Sequence, residues 1–226
     1  MAAYDINGQT VTALAGKALY IAGDSIAYGE GSAGGYGKPV AEKYGMSFVN
    51  EAVSGATLAP DIADNVNGGT RSCICTTVTG SGTLTNADYI LLEGGVNDAW
   101  NSAPVGTLTD GFDTAFDATT TIGSLETMLD YLAKNHSGKR VGFVFPHAGM
   151  FSATGFGWNE TYKPAIIAAL KKWGVPYLDI AGSTPPIGAY GVDGLKELYT
   201  ADGTHPNEAG YERYYVDQIA GFLQRL

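Results

Sequence analysis

Ala18-Leu19-Tyr20-Ile21-Ala22-Gly23-Asp24-Ser25 decides the fold: an apolar run of strand length ends at a glycine turn, and a serine stands just past it. A short continuous apolar run bounded by a turn signal reads as a buried strand. Open parallel sheets gather ligands and reacting groups at the carboxyl ends of their strands, which makes Ser25 a candidate nucleophile. Four more apolar runs follow at crossover spacing: Ser47 to Glu51, Tyr89 to Glu93, Arg140 to Phe145 and Tyr177 to Ile180. All five read as buried parallel strands. Between and after them lie helical patterns at Tyr36 to Tyr44, Ser124 to Lys134, Glu160 to Trp173 and Glu208 to about Gln224. This alternation predicts a three-layer α/β/α sandwich with right-handed crossovers.

Local signals place some boundaries. Asn207 can cap the last helix, with Glu208 in its positive first turn. His136-Ser137-Gly138 reads as a glycine stop for the helix before it. Residues 60–88 and 99–120 read as loop territory. The Gly68-Gly69 and Gly80-Ser81-Gly82 pairs around Thr, Val and Cys residues suggest a small hairpin in the first of these. Pro146 to Trp158 is a third loop, carrying Phe151, Phe156 and Trp158 among glycines. Residues 1–16 read as a lead segment and residues 17–226 as one domain, a size suited to a single core.

Composition narrows the chemistry. Glycine is abundant, with 32 in 226 residues, and only 16% of residues are charged, which implies many tight turns and an uncharged polar surface. A net charge of −10 disfavours a nucleic-acid backbone or an anionic membrane as partner. A neutral or uncharged-polar substrate fits better. No run approaches the roughly 18 apolar residues of a membrane span, and Met1-Ala2-Ala3-Tyr4-Asp5 lacks the basic start of an export signal. The chain therefore reads as soluble, its compartment left open. Cys73 and Cys75 read as ordinary free thiols, without the His or third Cys that a zinc site needs.

Of three histidines, His205 has suitable company. Asp202-Gly203-Thr204-His205-Pro206 puts a carboxylate three residues before an imidazole, just ahead of the last helix. A serine hydroxyl needs a base to take its proton, and the base works best when a third group fixes its tautomer. Gly55 after the second strand and Asn97 after the third offer a closely approaching backbone N–H and a neutral amide for a developing oxyanion. Asp24 and Asp98 read instead as supports that bond local backbone N–H groups. His147, Trp100, Phe151 and Trp158 lie where they could touch substrate, and His136 reads as a helix-end residue. Gly29-Glu30-Gly31-Ser32-Ala33-Gly34 matches a dinucleotide fingerprint in letters only, because it does not open directly on the strand.

Ser25, Gly55, Asn97 and His205, each after the expected element, resemble the four blocks of the SGNH subgroup of the GDSL hydrolase family. The likeness runs from Lys17 to the C-terminal helix, with Ile26 where the family name has leucine. It implies a flavodoxin-like five-stranded sheet, Ser25 as nucleophile, His205 as base and Asp202 as its partner. It also implies an oxyanion hole from the Ser25 and Gly55 N–H groups and Asn97. The expected activity is ester hydrolysis through an acyl-enzyme, with no metal or cofactor. No long apolar amphipathic insertion offers a groove or lid for a long acyl chain, and scattered aromatics on a glycine-rich rim suit sugar rings. The expected reaction therefore removes short acyl groups, acetyl first, from a carbohydrate, the substrate being a small-molecule or polysaccharide ester. The alternatives are a lipase or thioesterase, or a non-catalytic carbohydrate- or receptor-binding module. The polar lead Asp5 to Thr10, which resembles the approach to domains of surface or phage-tail polypeptides, speaks for that last reading.

Overall fold

The computed structural model describes residues 3–4, 10–11, 13–64, 66–112, 114–152, 155–188 and 194–226. Two short strands, β1 (Ala3–Tyr4) and β2 (Thr10–Val11), pair antiparallel ahead of the main sheet. Residues 5–9 of the expected lead lie outside the described residues. The main sheet holds β3 (Ala18–Ala22), β4 (Ser47–Asn50), β5 (Tyr89–Glu93), β6 (Arg140–Phe145) and β7 (Tyr177–Asp179). Its order is β4-β3-β5-β6-β7, all parallel. The chain runs outward from β3 to β4, then returns to the far side of β3 to lay down β5. That reversal leaves a crevice at the carboxyl ends of β3 and β5, the position at which doubly wound sheets bind ligands.

The helices are α1 (Ser25–Tyr28), α2 (Gly37–Tyr44), α3 (Ile74–Gly80), α4 (Val96–Trp100), α5 (Thr121–Asn135), α6 (Lys163–Lys172), α7 (Leu195–Tyr199), α8 (Glu208–Tyr214) and α9 (Val216–Leu223). The α2 helix packs with α9, while α5 packs between α3 and α6, giving two helical groups about the sheet. The centre is dry: every residue of β5 is buried, and Leu19 to Ala22 of β3 are buried with it. The edge strand β4 departs from the expected buried run, with Ser47 and Val49 exposed. An edge strand has one paired side and incomplete cover, so its apolar run is only half used.

Several boundaries moved for identifiable reasons. The α5 helix starts three residues early because Thr120 caps it, accepting the Gly123 N–H at 3.2 Å, and Thr121 to Gly123 are buried. It ends at His136 with φ −135°, and Gly138 does not adopt the left-handed stop that its sequence suggested. Ahead of α6 the chain makes one wide π-helical turn, Trp158–Tyr162, next to Pro164, which has no N–H to give the regular ladder. The C-terminal helix is two helices, separated at the buried Tyr215. Within residues 60–88 the expected hairpin shrinks to one bridge between Ala63 and Thr70, and the Thr/Val/Cys stretch is α3 instead. Burial of Ile74, Cys75 and Val78 outweighs the poor helix propensity of its β-branched residues. Both cysteines are free.

Candidate active site

The site begins with a tight exit from β3. A side chain at Gly23 would come within 2.8 Å of the Ala27 Cβ and 3.0 Å of the Glu93 carbonyl oxygen, so only glycine allows the turn. Asp24 then caps α1 by accepting the Ile26 N–H at 3.0 Å, and Gly29 ends that single turn with φ +98°. Ser25, first residue of α1, is 8% exposed, enough for its hydroxyl to face the crevice.

The second half arrives from the loop before α8, closed by a bridge between Thr200 and Pro206. Asp202 Oδ1 accepts the N–H groups of Thr204 and His205 at 2.8 and 2.9 Å. Its Oδ2 lies 2.7 Å from His205 Nδ1, and His205 Nε2 lies 2.9 Å from Ser25 Oγ. Partial burial pushes the Asp202 carboxyl up, but the bonds from the His205 backbone, its ring and Thr204 hold it below the usual carboxylate range. An ionised Asp202 accepts a hydrogen bond from the His205 Nδ1–H and so holds that proton on Nδ1, which leaves the Nε2 lone pair to accept the Ser25 O–H. Gly31, part of the false dinucleotide motif, serves this packing: a side chain there would meet Ala201 Cβ at 2.8 Å.

Gly55 lies in the left-handed region at φ +78°, and its carbonyl accepts Arg71 Nη1 at 2.9 Å. Arg71 is in turn paired with Asp64 at 3.2 Å. Among the described residues no acceptor takes the N–H of Ser25 or of Gly55. Asn97, in α4, donates one amide hydrogen to the Ala56 carbonyl at 3.0 Å, which fixes the side chain beside Gly55. Asp98 corrects the expectation of a local support. Its carboxylate accepts the N–H groups of Leu58 and Ala59 and the Thr121 hydroxyl, at 2.8 to 2.9 Å, and so ties the loop after Gly55 to the turn carrying Asn97. Burial pushes Asp98 up to about 6, against the pull of those three donors.

A cleft of about 210 Å³ opens over these groups, bounded by Ser25, Arg71, Asn97, Trp100, Phe151 and His205. Trp100 is exposed and stacks on Phe156, ring centroids 4.5 Å apart. Phe151 is buried but lines the cleft wall. His147 and Trp158 are corrections: both are buried, His147 against Tyr215 and Trp158 against Phe145 and Phe151, where substrate does not reach them. Sequence reasoning missed Arg71 and Glu93. Neither carries a local signal, since one reaches the cleft from a loop and the other reads as the end of an apolar strand. Among the described residues no group of three or more His, Cys, Asp or Glu side chains could hold a metal ion. Nor is any helix there long and apolar enough to cross a membrane.

The profile of the GDSL-like lipase/acylhydrolase family matches residues 21–213. The chain belongs to that family. Among curated proteins no relative matches it. Solved structures do. A protein from Lactobacillus plantarum is 24% identical with a TM-score of 0.73, the match covering 93% of this chain and 98% of that one. A carbohydrate acetylesterase family member from Sinorhizobium meliloti is 17% identical, with a TM-score of 0.59 over 92% and 98% of the two chains. An aryl esterase from M. smegmatis is 15% identical, with a TM-score of 0.61 over 93% and 99%. At these identities the likeness establishes a shared fold, and the names cover esters of quite different kinds.

Proposed function

We propose that the chain is a serine esterase that removes short acyl groups, acetyl first, from a carbohydrate by way of an acyl-enzyme. The observation that carries the reading is the unbroken chain of hydrogen bonds from Asp202 through His205 to Ser25, at 2.7 and 2.9 Å. Ser25 Oγ attacks the ester carbonyl while His205 Nε2 takes its proton. Charge collects on the carbonyl oxygen, where the Ser25 and Gly55 N–H groups and the Asn97 amide receive it; each preorganised donor is worth about 3 kcal/mol. His205 then returns the proton to the leaving alcohol oxygen. Water, deprotonated by the same imidazole, attacks the acyl-enzyme and releases the acid and free Ser25.

Size and surface support the finer part. A cleft of about 210 Å³ suits a short acyl group better than a long chain, and the exposed Trp100 at its edge offers a flat face to a sugar ring. The test pairs fluorophosphonate labelling with hydrolysis of esters of increasing acyl length and of acetylated polysaccharide, for wild type and Ser25→Ala. Labelling and turnover confined to wild type, highest for acetyl, are expected. A preference for long chains would promote the lipase reading. A folded wild type that neither labels nor turns over would leave the binding-module reading.

A further inference from the structure

Beneath the nucleophile turn lie two carboxyl groups that the hydrogen-bonded relay does not use. Asp24 is 1% exposed and Glu93 0%. Asp24 Oδ1 accepts the Ile26 N–H at 3.0 Å, and Glu93 Oε2 accepts the next one, of Ala27, at 3.1 Å. Taking consecutive amides of α1 sets the two carboxyls side by side. Their remaining oxygens, Asp24 Oδ2 and Glu93 Oε1, are buried, with no N–H, hydroxyl or cation bonded to them among the described residues. Neither residue joins an ion pair there. The two side chains lie within hydrogen-bonding reach of one another, and Glu93 also faces the Asp24 backbone N–H.

Two ionised carboxylates in contact and out of water repel strongly, whereas one proton between them turns the repulsion into a charge-assisted hydrogen bond. The surroundings decide which group holds that proton. Burial pushes the Asp24 carboxyl up as well, but the Ile26 N–H, the Glu93 side chain and the field of Arg71 favour its charged form. Glu93 faces Asp24 itself, and the buried phenols of Tyr36, Tyr211 and Tyr215, which feel the charge of the pair, are held neutral by burial. Burial first, then the Asp24 charge, pushes the Glu93 carboxyl well above the usual carboxylate range.

We propose that Glu93 is a positioning residue of the active site: a carboxylic acid that donates a hydrogen bond to Asp24 and, through its other oxygen, locks the nucleophile turn to the end of the strand that leads to Asn97. Glu93 is the last residue of β5, and Asn97 follows it by way of two glycines in left-handed or extended-positive backbone, Gly94 at φ +158° and Gly95 at φ +99°. The α1 helix is a single turn, too short to hold itself, so its N–H groups need outside acceptors. Bonding Ala27 to Glu93 fixes the distance between the Ser25 hydroxyl and the Asn97 amide. Displacements of about 1 Å in such machinery cost on the order of 100-fold in rate. The catalytic consequence rests on the esterase reading above, but the shared proton does not.

Infrared difference spectra of wild type against Glu93→Gln at neutral pH test the proton directly. The expected result is a protonated-carboxyl C=O band in wild type and in Ser25→Ala, absent from Glu93→Gln. Glutamine keeps both an acceptor for Ala27 and a donor for Asp24, so Glu93→Gln is expected to hold kcat within about threefold of wild type. Glu93→Leu removes both, and its kcat is expected to fall by about ten- to a hundredfold with KM little changed. No such band, or a folded Glu93→Gln as impaired as Glu93→Leu, overturns the proposal. Should Glu93→Leu not fold, the band and the glutamine variant still decide. A wild type inactive on every ester defeats the esterase reading instead, and the band continues to report on the pair.

Discussion

The loop after β6 and the loop before α8 each bring a histidine to the carboxyl edge of the sheet, and the two imidazoles end in opposite surroundings. His205 stands in a half-open loop with a carboxylate on one nitrogen and a serine hydroxyl on the other. His147 is fully buried, its Nδ1 bonded to the Tyr215 hydroxyl at 2.7 Å and its Nε2 without a partner among the described residues. Burial, with a further push from His205, drives His147 down to about 3. Position at the edge of the sheet does not set a histidine's partners. Of the two rings, only that on the Asp202 turn has a carboxylate behind it and a serine hydroxyl in front of it.

The largest effect that can break this contrast is on turnover. His205→Ala should lower kcat/KM by roughly 10⁴-fold or more, while His147→Phe, which keeps the ring volume, should leave it within a few fold. Equal losses in the two variants would remove the distinction. Asn97→Ala comes next, with an expected drop in kcat of about 10²- to 10³-fold and a smaller change in KM, measured on a short-chain ester. A change in KM alone would make Asn97 a binding residue and not an oxyanion donor.

A third test sharpens the contrast through stability. Unfolded His147 binds a proton below about pH 6.5, whereas the folded chain refuses it until about pH 3. Between those values the unfolded state holds the extra proton. The contribution is therefore complete above pH 6.5 and is lost as pH falls toward 3, by up to about 1.4 kcal/mol per pH unit. Denaturant unfolding at a series of pH values should show a shallower acid slope in His147→Phe than in wild type. Parallel slopes would mean that His147 takes up its proton in the fold after all. The smallest effect belongs to the rim: Trp100→Ala should raise KM for an acetylated polysaccharide a few fold and leave a small aryl acetate untouched.

Much of the molecule could be read residue by residue. The five strands coincide with the apolar runs to within a residue, and Ser25, Asp202 and His205 stand out because a turn, a cap or a proline marks each place. Those signals are local, carried by a few neighbouring residues whose backbone preferences hold in any context. Asp98 shows where this stops. Its letter suggests a local turn support, yet two of the groups that donate to its carboxylate, the N–H groups of Leu58 and Ala59, stand 40 and 39 residues earlier, brought near only when the chain reverses direction between β4 and β5. Glu93 is a stronger case, an acidic residue that periodicity counts as the end of a strand and that the sheet order presses against Asp24.

The amino-acid order alone determined the alternation of strand and helix and the four candidate segments around Ser25, Gly55, Asn97 and His205, because apolar periodicity and turn chemistry act over a few residues. The tertiary structure decided which of two histidines meets both a carboxylate and a serine hydroxyl, which aromatics face the cleft and what lies beneath the turn at Ser25. Each of those depends on burial and on partners from distant segments. Desolvation and hydrogen bonding act through space, and no window along the chain contains both partners.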